Sequence, residues 1–217
     1  MISLTEENYL KSIYHLSDAG GKEVLTNELA EAMNTKAASA TDMIKKLAGK
    51  DFISYEKYHG VNITAKGKAL ALMVIRKHRL WETFLVQTLG FKWDEVHEVA
   101  EQLEHIQSPL LIEKLDELLG FPKVDPHGDP IPDHNGKIKS LQKVMLGSLK
   151  AGTDSVIVAV KDSDSKLLKY LDKIGARPGK KIKILEIQEY DGSMEVSIGG
   201  HKFFVSKEVS ENILVSA

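Results

Sequence analysis

The sequence contains no cysteine, so it can form no disulfide and offers no thiolate to a metal. Chains without disulfides are typical of a reducing compartment, and the expected location is the cytoplasm. No apolar run approaches the roughly 20 residues that a helix needs to cross a bilayer, so no membrane partner is expected. The first residues, MISLTEENYL, also lack the basic and apolar regions of a signal peptide.

The formal net charge is small, at −2 over 217 residues, but the charges are unevenly distributed. Residues 36–79 hold ten Lys or Arg against three acids, whereas residues 82–117 hold nine Asp or Glu against two Lys. The distribution predicts a polarised molecule with a basic and an acidic region. Chance clustering on solvated faces is the alternative interpretation.

The N-terminal third has the element order of a winged helix-turn-helix. Apolar spacing predicts helices over residues 3–17, 26–34 and 36–50, with a tight joint between the second and the third. Residues 52–64 alternate apolar and polar side chains around a central glycine, which indicates a β-hairpin.

The rest of the chain divides into a helical part and a β-rich part. Helices are predicted over residues 65–88, 94–107 and 109–119, and the Pro- and Gly-rich loop 120–136 then marks a boundary. The segments after it read as short strands with one helical insert, which is typical of a small β-barrel. The expected fold is mainly α with a C-terminal β-barrel, and the expected domains are residues 1–72, 73–140 and 141–217.

The segment VHEVAEQLEHIQ gathers carboxylates and imidazoles unusually densely. A solvated acidic face usually carries Lys or Arg one turn away, because like charges at that spacing repel. Here no basic residue occurs between Lys92 and Lys114. The segment therefore predicts a metal site, with a plain solvated face as the alternative. At about 100° per residue, an arc of about 100° on one helix holds the four candidate ligands His97, Glu101, Glu104 and His105.

Two further fragments offer ligands of the same kind. His78 and Glu82 are one helical turn apart on the preceding helix, and Asp125 and His127 follow in the loop. Oxygen and nitrogen ligands without sulfur suit Mn(II), Fe(II) or Zn(II), and a shell rich in carboxylates favours Mn(II).

The basic residues of the N-terminal part fall on the elements of a winged helix that contact DNA phosphates. The beginning of the third helix carries short polar side chains that suit base edges. A winged helix that binds another protein is the alternative. The candidate contacts with double-stranded operator DNA are Thr35, Lys36, Ser39, Thr41, Asp42, Lys45, Lys46 and Lys57.

The chain resembles the diphtheria toxin repressor family of metal-dependent transcriptional repressors, and within it the manganese transport regulators. The resemblance covers nearly the whole chain and rests on NYLKSIYHL, TDMIKKL, ITAKGKALA, RKHRL, VHEVAEQLEHIQS and LGFPKVDPHGDPIP. It implies a homodimeric repressor of metal-uptake genes, not an enzyme, with the metal as corepressor. It also implies a helical metal-binding and dimerisation domain after the winged helix-turn-helix, and a C-terminal SH3-like (FeoA-like) domain.

The resemblance implies a primary metal site made of Glu101, Glu104 and His105, and the carboxylate at position 101 resembles the manganese-sensing members. In the family the first helix adds a ligand, and here that position is Asn8, whose amide oxygen can coordinate without bringing charge. Some manganese regulators use a Glu three residues later, where this chain has Lys11, which cannot serve as a ligand.

The resemblance also implies a second metal site made of His78, Glu82 and His97. Some members complete this site from the loop and the β-barrel. The corresponding positions are Asp125, His127 and Asp162, with Asp164 as the alternative to Asp162.

The expected mechanism is that a divalent ion cancels the repulsion among the clustered carboxylates and ties the first helix to the acidic one. Apolar residues of the predicted helices between residues 94 and 119 are expected to form the dimer interface, with intradomain core as the alternative. They include Leu110, Leu111, Leu115 and Leu118. A winged-helix regulator of another effector is a second candidate function. A carboxylate-site metallohydrolase is a third, although the sequence marks no nucleophile or oxyanion hole.

Overall fold

The computed structural model falls into two compact units. Its described residues are 2–56, 59–139, 142–161 and 164–216. The first unit consists of residues 1–78, 103–107 and 132–137, and the second of residues 79–102, 108–131 and 138–217. Two candidate site residues, Lys57 and Asp162, lie outside the described residues, so their roles stay predictions.

The first unit contains three helices, an antiparallel hairpin and the start of a long helix that continues into the second unit. This is the order predicted for a winged helix-turn-helix, and that prediction is confirmed. The elements are α1 (Leu4–Leu16), α2 (Thr26–Ala32), α3 (Ala37–Ala48), β1 (Ile53–Glu56), β2 (Gly60–Ile63) and α4 (Ala65–Gln87).

The first helix shows how local sequence starts an element. Ser3 Oγ accepts a hydrogen bond from Glu6 N at 3.3 Å, and Glu6 Oε2 accepts one from Ser3 N at 2.7 Å. This capping box satisfies two backbone donors that have no partner within the helix. The apolar stripe that follows is buried, and the fully buried side chains of the unit include Leu10, Ile13, Leu29, Ile44 and Leu47.

The second unit joins the remaining helical segments to a β domain. Its helical part comprises the end of α4, most of α5 (His97–Leu103) and α6 (Pro109–Leu118). The β domain comprises β3 (Lys143–Met145), β4 (Asp154–Val160), α7 (Ser165–Lys173), β5 (Lys181–Ile187), β6 (Met194–Ile198), β7 (His201–Val205), α8 (Lys207–Asn212) and β8 (Ile213–Ser216).

The six strands of the β domain pair antiparallel in the order β3-β8-β4-β5-β6-β7. Apolar alternation does not reveal β3 and β8, which have only three and four residues. In the described ranges no pairing joins β3 to β7, so the sheet is not closed and the word barrel fits it only loosely. The predicted class, helices followed by an SH3-like β domain, is confirmed.

A tryptophan from the helical part belongs to the core of the β domain. Trp93 is 3 % exposed and lies in the same buried cluster as Ile157, Leu171 and Val196. The segment before α5 and the β domain therefore share one hydrophobic core, and this core fixes the backbone around Trp93.

The helix α5 is shorter than predicted. It ends at Leu103, and the next turn is closed by a hydrogen bond from Ile106 N to Leu103 O at 3.1 Å. Ser108 then caps α6, and Pro109, its first residue, disfavours helix in the residue before it. Glu104 and His105 lie in the turn between the two helices, so the predicted arc of four ligands on one helix is wrong.

Within the described ranges, none of the helices combines the length and the apolar character needed to span a bilayer.

Candidate metal centre

Three buried side chains of the second unit converge on one point. Ligand atoms of Glu82, Asp125 and His127 all lie within 4.8 Å of one another, and the residues are 2, 6 and 5 % exposed. Two carboxylates and an imidazole at this spacing form a donor set that suits a divalent cation. Burying such groups is costly unless a cation accompanies them, so the cluster is a candidate metal centre.

His127 is held by both its backbone and its ring. Its carbonyl oxygen accepts a hydrogen bond from Val160 N on β4 at 3.0 Å, and its Nε2 lies 2.8 Å from the carbonyl oxygen of Trp93. A ring that donates Nε2–H to a carbonyl keeps Nδ1 as the atom that can bind a metal. That atom lies 3.6 Å from Glu82 Oε2.

The loop after His127 depends on a glycine. Gly128 has a φ of +88°, and a Cβ at this position would lie 1.9 Å from the carbonyl oxygen of Val158. The Oδ1 atom of Asp125 accepts hydrogen bonds from the backbone amides of His127 at 2.8 Å and of Asp129 at 3.0 Å. The β domain and these turns therefore position both loop ligands.

Protons and an arginine balance the charge of this cluster. Burial lowers the pKa of His127, but the hydrogen bond to Glu82 and the charges of Glu82 and Asp125 outweigh it and raise the pKa to about 9. Burial and the charges of Glu82 and Asp129 raise the pKa of Asp125 to about 7, although Arg79 Nε lies 3.4 Å from Asp125 Oδ2. A cation that binds here must displace protons.

His97 approaches the same carboxylate from α5. Its Nδ1 lies 3.6 Å from Glu82 Oε1, and its Nε2 lies 3.5 Å from Glu101 Oε1. Hydrogen bonds to Glu101 and to Glu82 raise the pKa of His97 to about 9. Glu82 thus faces one histidine with each of its oxygens.

In the first unit, Glu104 is completely buried between two basic side chains. Its Oε1 lies 2.6 Å from Lys11 Nζ, and its Oε2 lies 2.5 Å from His78 Nδ1. Burial raises the pKa of the Glu104 carboxyl, but the hydrogen bond to His78 and the charge of Lys11 outweigh it and hold the pKa below its usual value.

Glu7 of α1 is a candidate ligand that sequence reasoning missed. Its Oε2 lies 2.6 Å from His105 Nδ1, and its Oε1 accepts a hydrogen bond from Gln107 Nε2 at 2.8 Å. Lys77 Nζ is 3.8 Å from the same Oε1. The only sequence signal was an acid next to Asn8, and acids are common in the first turn of a helix.

Asn8 carries an unsatisfied polar atom. Its Oδ1 is buried, and in the described part of the chain it accepts no hydrogen bond. Buried polar atoms are almost always hydrogen-bonded, so the exception needs another partner. An amide oxygen next to the carboxylate of Glu7 fits a ligand for a hard cation.

Basic side chains distant in sequence compensate these acids. Glu104 pairs with Lys11, and Glu7 pairs with Lys77. The expectation of clustered carboxylates that repel with nothing to neutralise them is therefore wrong for Glu104. The residues adjacent in sequence on one helix do not show which lysines from other elements pack against that helix.

The predicted ligands are distributed between the two units. The second unit holds Glu82, His97, Glu101, Asp125 and His127, and the first holds Asn8, His78, Glu104 and His105. The assignment of Glu101 to one site with Glu104 and His105, and of His78 to one with Glu82 and His97, stays a prediction. Asp164, the alternative to Asp162, caps α7 by accepting a hydrogen bond from Lys166 N at 2.7 Å.

The described candidate DNA contacts lie on α3 and just before it. Thr35 and Thr41 are half-buried, whereas the exposed residues are Lys36, Ser39, Asp42, Lys45 and Lys46. Lys46 Nζ lies 3.4 Å from the buried carboxylate of Glu6, so its charge has a partner. The side chain of Lys45 is 67 % exposed and lies 3.8 Å from that of Asp42, which is itself exposed.

The helix α6 exposes three of the four predicted interface leucines. Leu110, Leu111 and Leu118 are 64, 40 and 66 % exposed, whereas Leu115 is 5 % exposed and belongs to the buried residues of its own chain. An exposed set of large apolar side chains on one helix is typical of a contact surface.

Three protein-family models match the chain in order. Residues 1–61 match the iron dependent repressor N-terminal DNA binding domain, and residues 64–133 match the iron dependent repressor metal binding and dimerisation domain. Residues 144–217 match the FeoA domain. The first match contains α3, and the second contains Glu82, Glu104 and His127.

Relatives and solved structures extend these matches. The iron-dependent repressor IdeR of Mycobacterium leprae is 27 % identical over 210 residues, which cover 91 % of this chain and 90 % of that protein. The transcriptional regulator MntR of Oceanobacillus iheyensis is 30 % identical over 142 residues, which cover 65 % of this chain and 89 % of that protein. A solved manganese-dependent transcriptional repressor in complex with manganese is 34 % identical, with a TM-score of 0.88 over 98 % of this chain and 99 % of that one.

Proposed function

The chain belongs to the diphtheria toxin repressor family of metal-dependent transcriptional repressors, and from this premise we propose that it binds operator DNA as a homodimer when loaded with Mn(II). The genes under its control are those of metal uptake and homeostasis. Fe(II) and Zn(II) are the alternative ions, and the oxygen-rich donor set favours Mn(II). The proposed domains are residues 1–72, 73–140 and 141–217. The order of the three matched segments supports three domains, although the metal-binding and dimerisation match begins at residue 64, within the proposed first domain.

The observation that carries the proposal is the buried group of Glu82, Asp125 and His127. Their ligand atoms lie within 4.8 Å of one another inside the segment that matches a metal-binding domain. His97 Nδ1 lies 3.6 Å from Glu82, which supports its inclusion. These four residues form the proposed second site, together with His78 and Asp162.

The proposed primary site uses Asn8, Glu101, Glu104 and His105. The unsatisfied Oδ1 of Asn8 supports the ligand from the first helix, and Glu7 is added because its carboxylate lies 2.6 Å from His105 Nδ1. Bound Mn(II) would supply two positive charges to these side chains. Because Asn8 and Glu7 lie on α1, ligation fixes the first helix of the DNA-binding domain.

The proposed DNA contacts are those of α3 and the residues before it, together with Lys57, which lies outside the described residues. Lys36 and Lys45 reach phosphates, and Ser39 and Asp42 face base edges near the start of the helix. A helix of this kind inserted in the major groove is the usual docking of a winged helix-turn-helix. Thr35, Thr41 and Lys46 complete the contact set.

The homodimer is proposed to form through the exposed leucines of α6. Leu110, Leu111 and Leu118 present apolar surface, and the matched family domain is a dimerisation domain. Sedimentation of the protein alone should give twice the 24.1 kDa mass of the chain. If the protein sediments as a monomer at the concentrations at which it retards DNA in a gel, this part of the proposal is contradicted.

The alternatives are less well supported. The homologues are transcriptional repressors rather than enzymes, which disfavours a metallohydrolase. A regulator of another effector would not need three buried metal-type ligands in one cluster. The cytoplasm stays the predicted location, because a repressor acts on DNA.

Operator binding that requires metal is the first expected outcome. Duplexes selected from a random-sequence pool in the presence of Mn(II) should bind roughly 5- to 150-fold more tightly with Mn(II) than after chelation, a typical range for coupling between two sites. Gel shifts across Mn(II), Fe(II) and Zn(II) would rank the ions. Equal affinity after chelation would contradict the proposal.

Lys45→Ala is expected to weaken binding on every DNA sequence and to lower the salt slope by about one. The reason is that an exposed lysine on α3 contacts a phosphate and not a base. Lys202→Ala is the matched control, because Lys202 is also 67 % exposed and pairs with one carboxylate, that of Glu195. A salt slope equal to that of the control would show that α3 does not lie along the DNA backbone.

A further inference from the structure

We propose that Lys11 is a tethered cation that must release the carboxylate of Glu104 before this carboxylate can bind a metal. Lys11 thereby sets the metal concentration at which the protein responds. The inference rests on the proposed role of Glu104 as a ligand. It gives Lys11 a role in controlling metal binding, although Lys11 is not itself a ligand.

The contact is short and lies inside the first unit. Lys11 Nζ is 2.6 Å from Glu104 Oε1, the Glu104 side chain is 0 % exposed, and that of Lys11 is 14 % exposed. His78 Nδ1 lies 2.5 Å from the other carboxylate oxygen. Both oxygens of Glu104 therefore have a basic partner, and a metal cannot use Oε1 while the ammonium keeps its place.

The exchange follows from charge. A buried carboxylate needs a cation, and Lys11 provides one from α1 without any ion from solution. An ammonium group and a divalent ion on one carboxylate would repel strongly in a site that excludes water. Metal ligation by Glu104 therefore requires Lys11 to move away, and the free energy of the ion pair is subtracted from that of metal binding.

Two opposite effects distinguish this role from a purely structural ion pair. Removal of the ammonium should make Glu104 more available and tighten metal binding. The same change should lower the melting temperature in the presence of a chelator, because the buried carboxylate of Glu104 then keeps only His78 of its two close basic partners. A structural ion pair would predict lower stability with metal affinity unchanged or weakened.

The test is Lys11→Met, which keeps most of the aliphatic stem and removes the charge. Titration of the protein with Mn(II) alone, without DNA, should show one binding step about tenfold tighter than in the unchanged protein, as expected for the loss of a hydrogen bond to a charged group. The relevant step is the one that Glu104→Gln weakens or removes. Thermal unfolding in chelator should show the lower melting temperature.

Lys50→Met is the matched control. Lys50 Nζ lies 2.6 Å from the buried carboxylate of Glu6, the same distance as from Lys11 Nζ to Glu104. Each variant therefore loses one positive charge and one ion pair of equal length. Its Mn(II) affinity should change less than twofold. An equal increase in Mn(II) affinity in Lys11→Met and Lys50→Met would show that the effect comes only from the change in net charge, and it would overturn the inference.

Two further variants separate the possible failures. Lys11→Arg keeps the charge and should keep the affinity within about threefold, which also covers the case in which Lys11→Met does not fold. If Glu104→Gln leaves both binding steps unchanged, the proposed ligand itself is wrong. If Glu104→Gln weakens one step and Lys11→Met does not tighten it, only the inference about Lys11 fails.

Discussion

Glu104→Gln is expected to abolish the response of DNA binding to Mn(II). With metal, the variant should bind operator DNA no better than the unchanged protein does after chelation, a loss of roughly 5- to 150-fold. The physical reason is that an amide oxygen brings no negative charge to a proposed site in which Asn8 already contributes a neutral ligand. Gel shifts with and without Mn(II) measure the effect directly.

Glutamine is the sharper substitution, because alanine at position 104 would leave Lys11 and His78 facing a cavity. The control is Glu98→Gln, an exposed glutamate near the start of α5 that should retain full stimulation. Circular dichroism and DNA binding after chelation should be the same for both variants. Stimulation that survives in Glu104→Gln would exclude Glu104 as a functional ligand.

Apolar periodicity was sufficient for the order of the elements as far as α4 and insufficient for the end of α5 and for the short strands β3 and β8. Three helices, a hairpin and the long α4 follow from spacing alone, because each buries one face. The end of α5 at Leu103 depends on tertiary contacts. Glu104 binds Lys11, and His105 binds Glu7, and neither partner is near in sequence.

The same limit explains the incomplete description of the candidate site. The loop ligands Asp125 and His127 could be proposed because their residue types and the resemblance agreed. Glu7 could not, because nothing in a local pattern separates it from an ordinary acid of a first helical turn. The sequence predicts that Lys11 is not a ligand, but its pairing with Glu104 is visible only in the folded chain.

The proposed second site differs from the proposed primary site in the source of its positive charge. Glu82 lies between two histidines, His97 and His127, whose pKa values are both about 9. At pH 7.5 both rings carry protons, and an imidazole has to lose a proton to become a ligand. Mn(II) affinity at this site should therefore increase as the pH rises toward 9 and decrease as the pH is lowered.

Glu82→Gln is expected to remove one Mn(II) from each protomer and to change the protons released on binding. In the unchanged protein at pH 7.5, filling the second site should release close to two protons, because both histidines start protonated. Without the Glu82 charge, the pKa of His127 should fall toward the usual 6.5, whereas the pKa of His97 should fall less, because its hydrogen bond to Glu101 remains. Fewer protons should therefore be released on binding. Calorimetric titration in buffers of different ionisation enthalpy counts the protons, and histidine NMR titration reports the pKa values.

The proton count makes this prediction independent of DNA binding. Glu98→Gln again serves as the control and should keep both the Mn(II) stoichiometry and the proton release. A merely destabilised second site would lose its ion but keep the histidine pKa values near 9, since those depend on the carboxylate and not on the metal. Unchanged histidine titration in Glu82→Gln would therefore show that Glu82 does not hold His97 and His127 in the way their 3.6 Å contacts indicate.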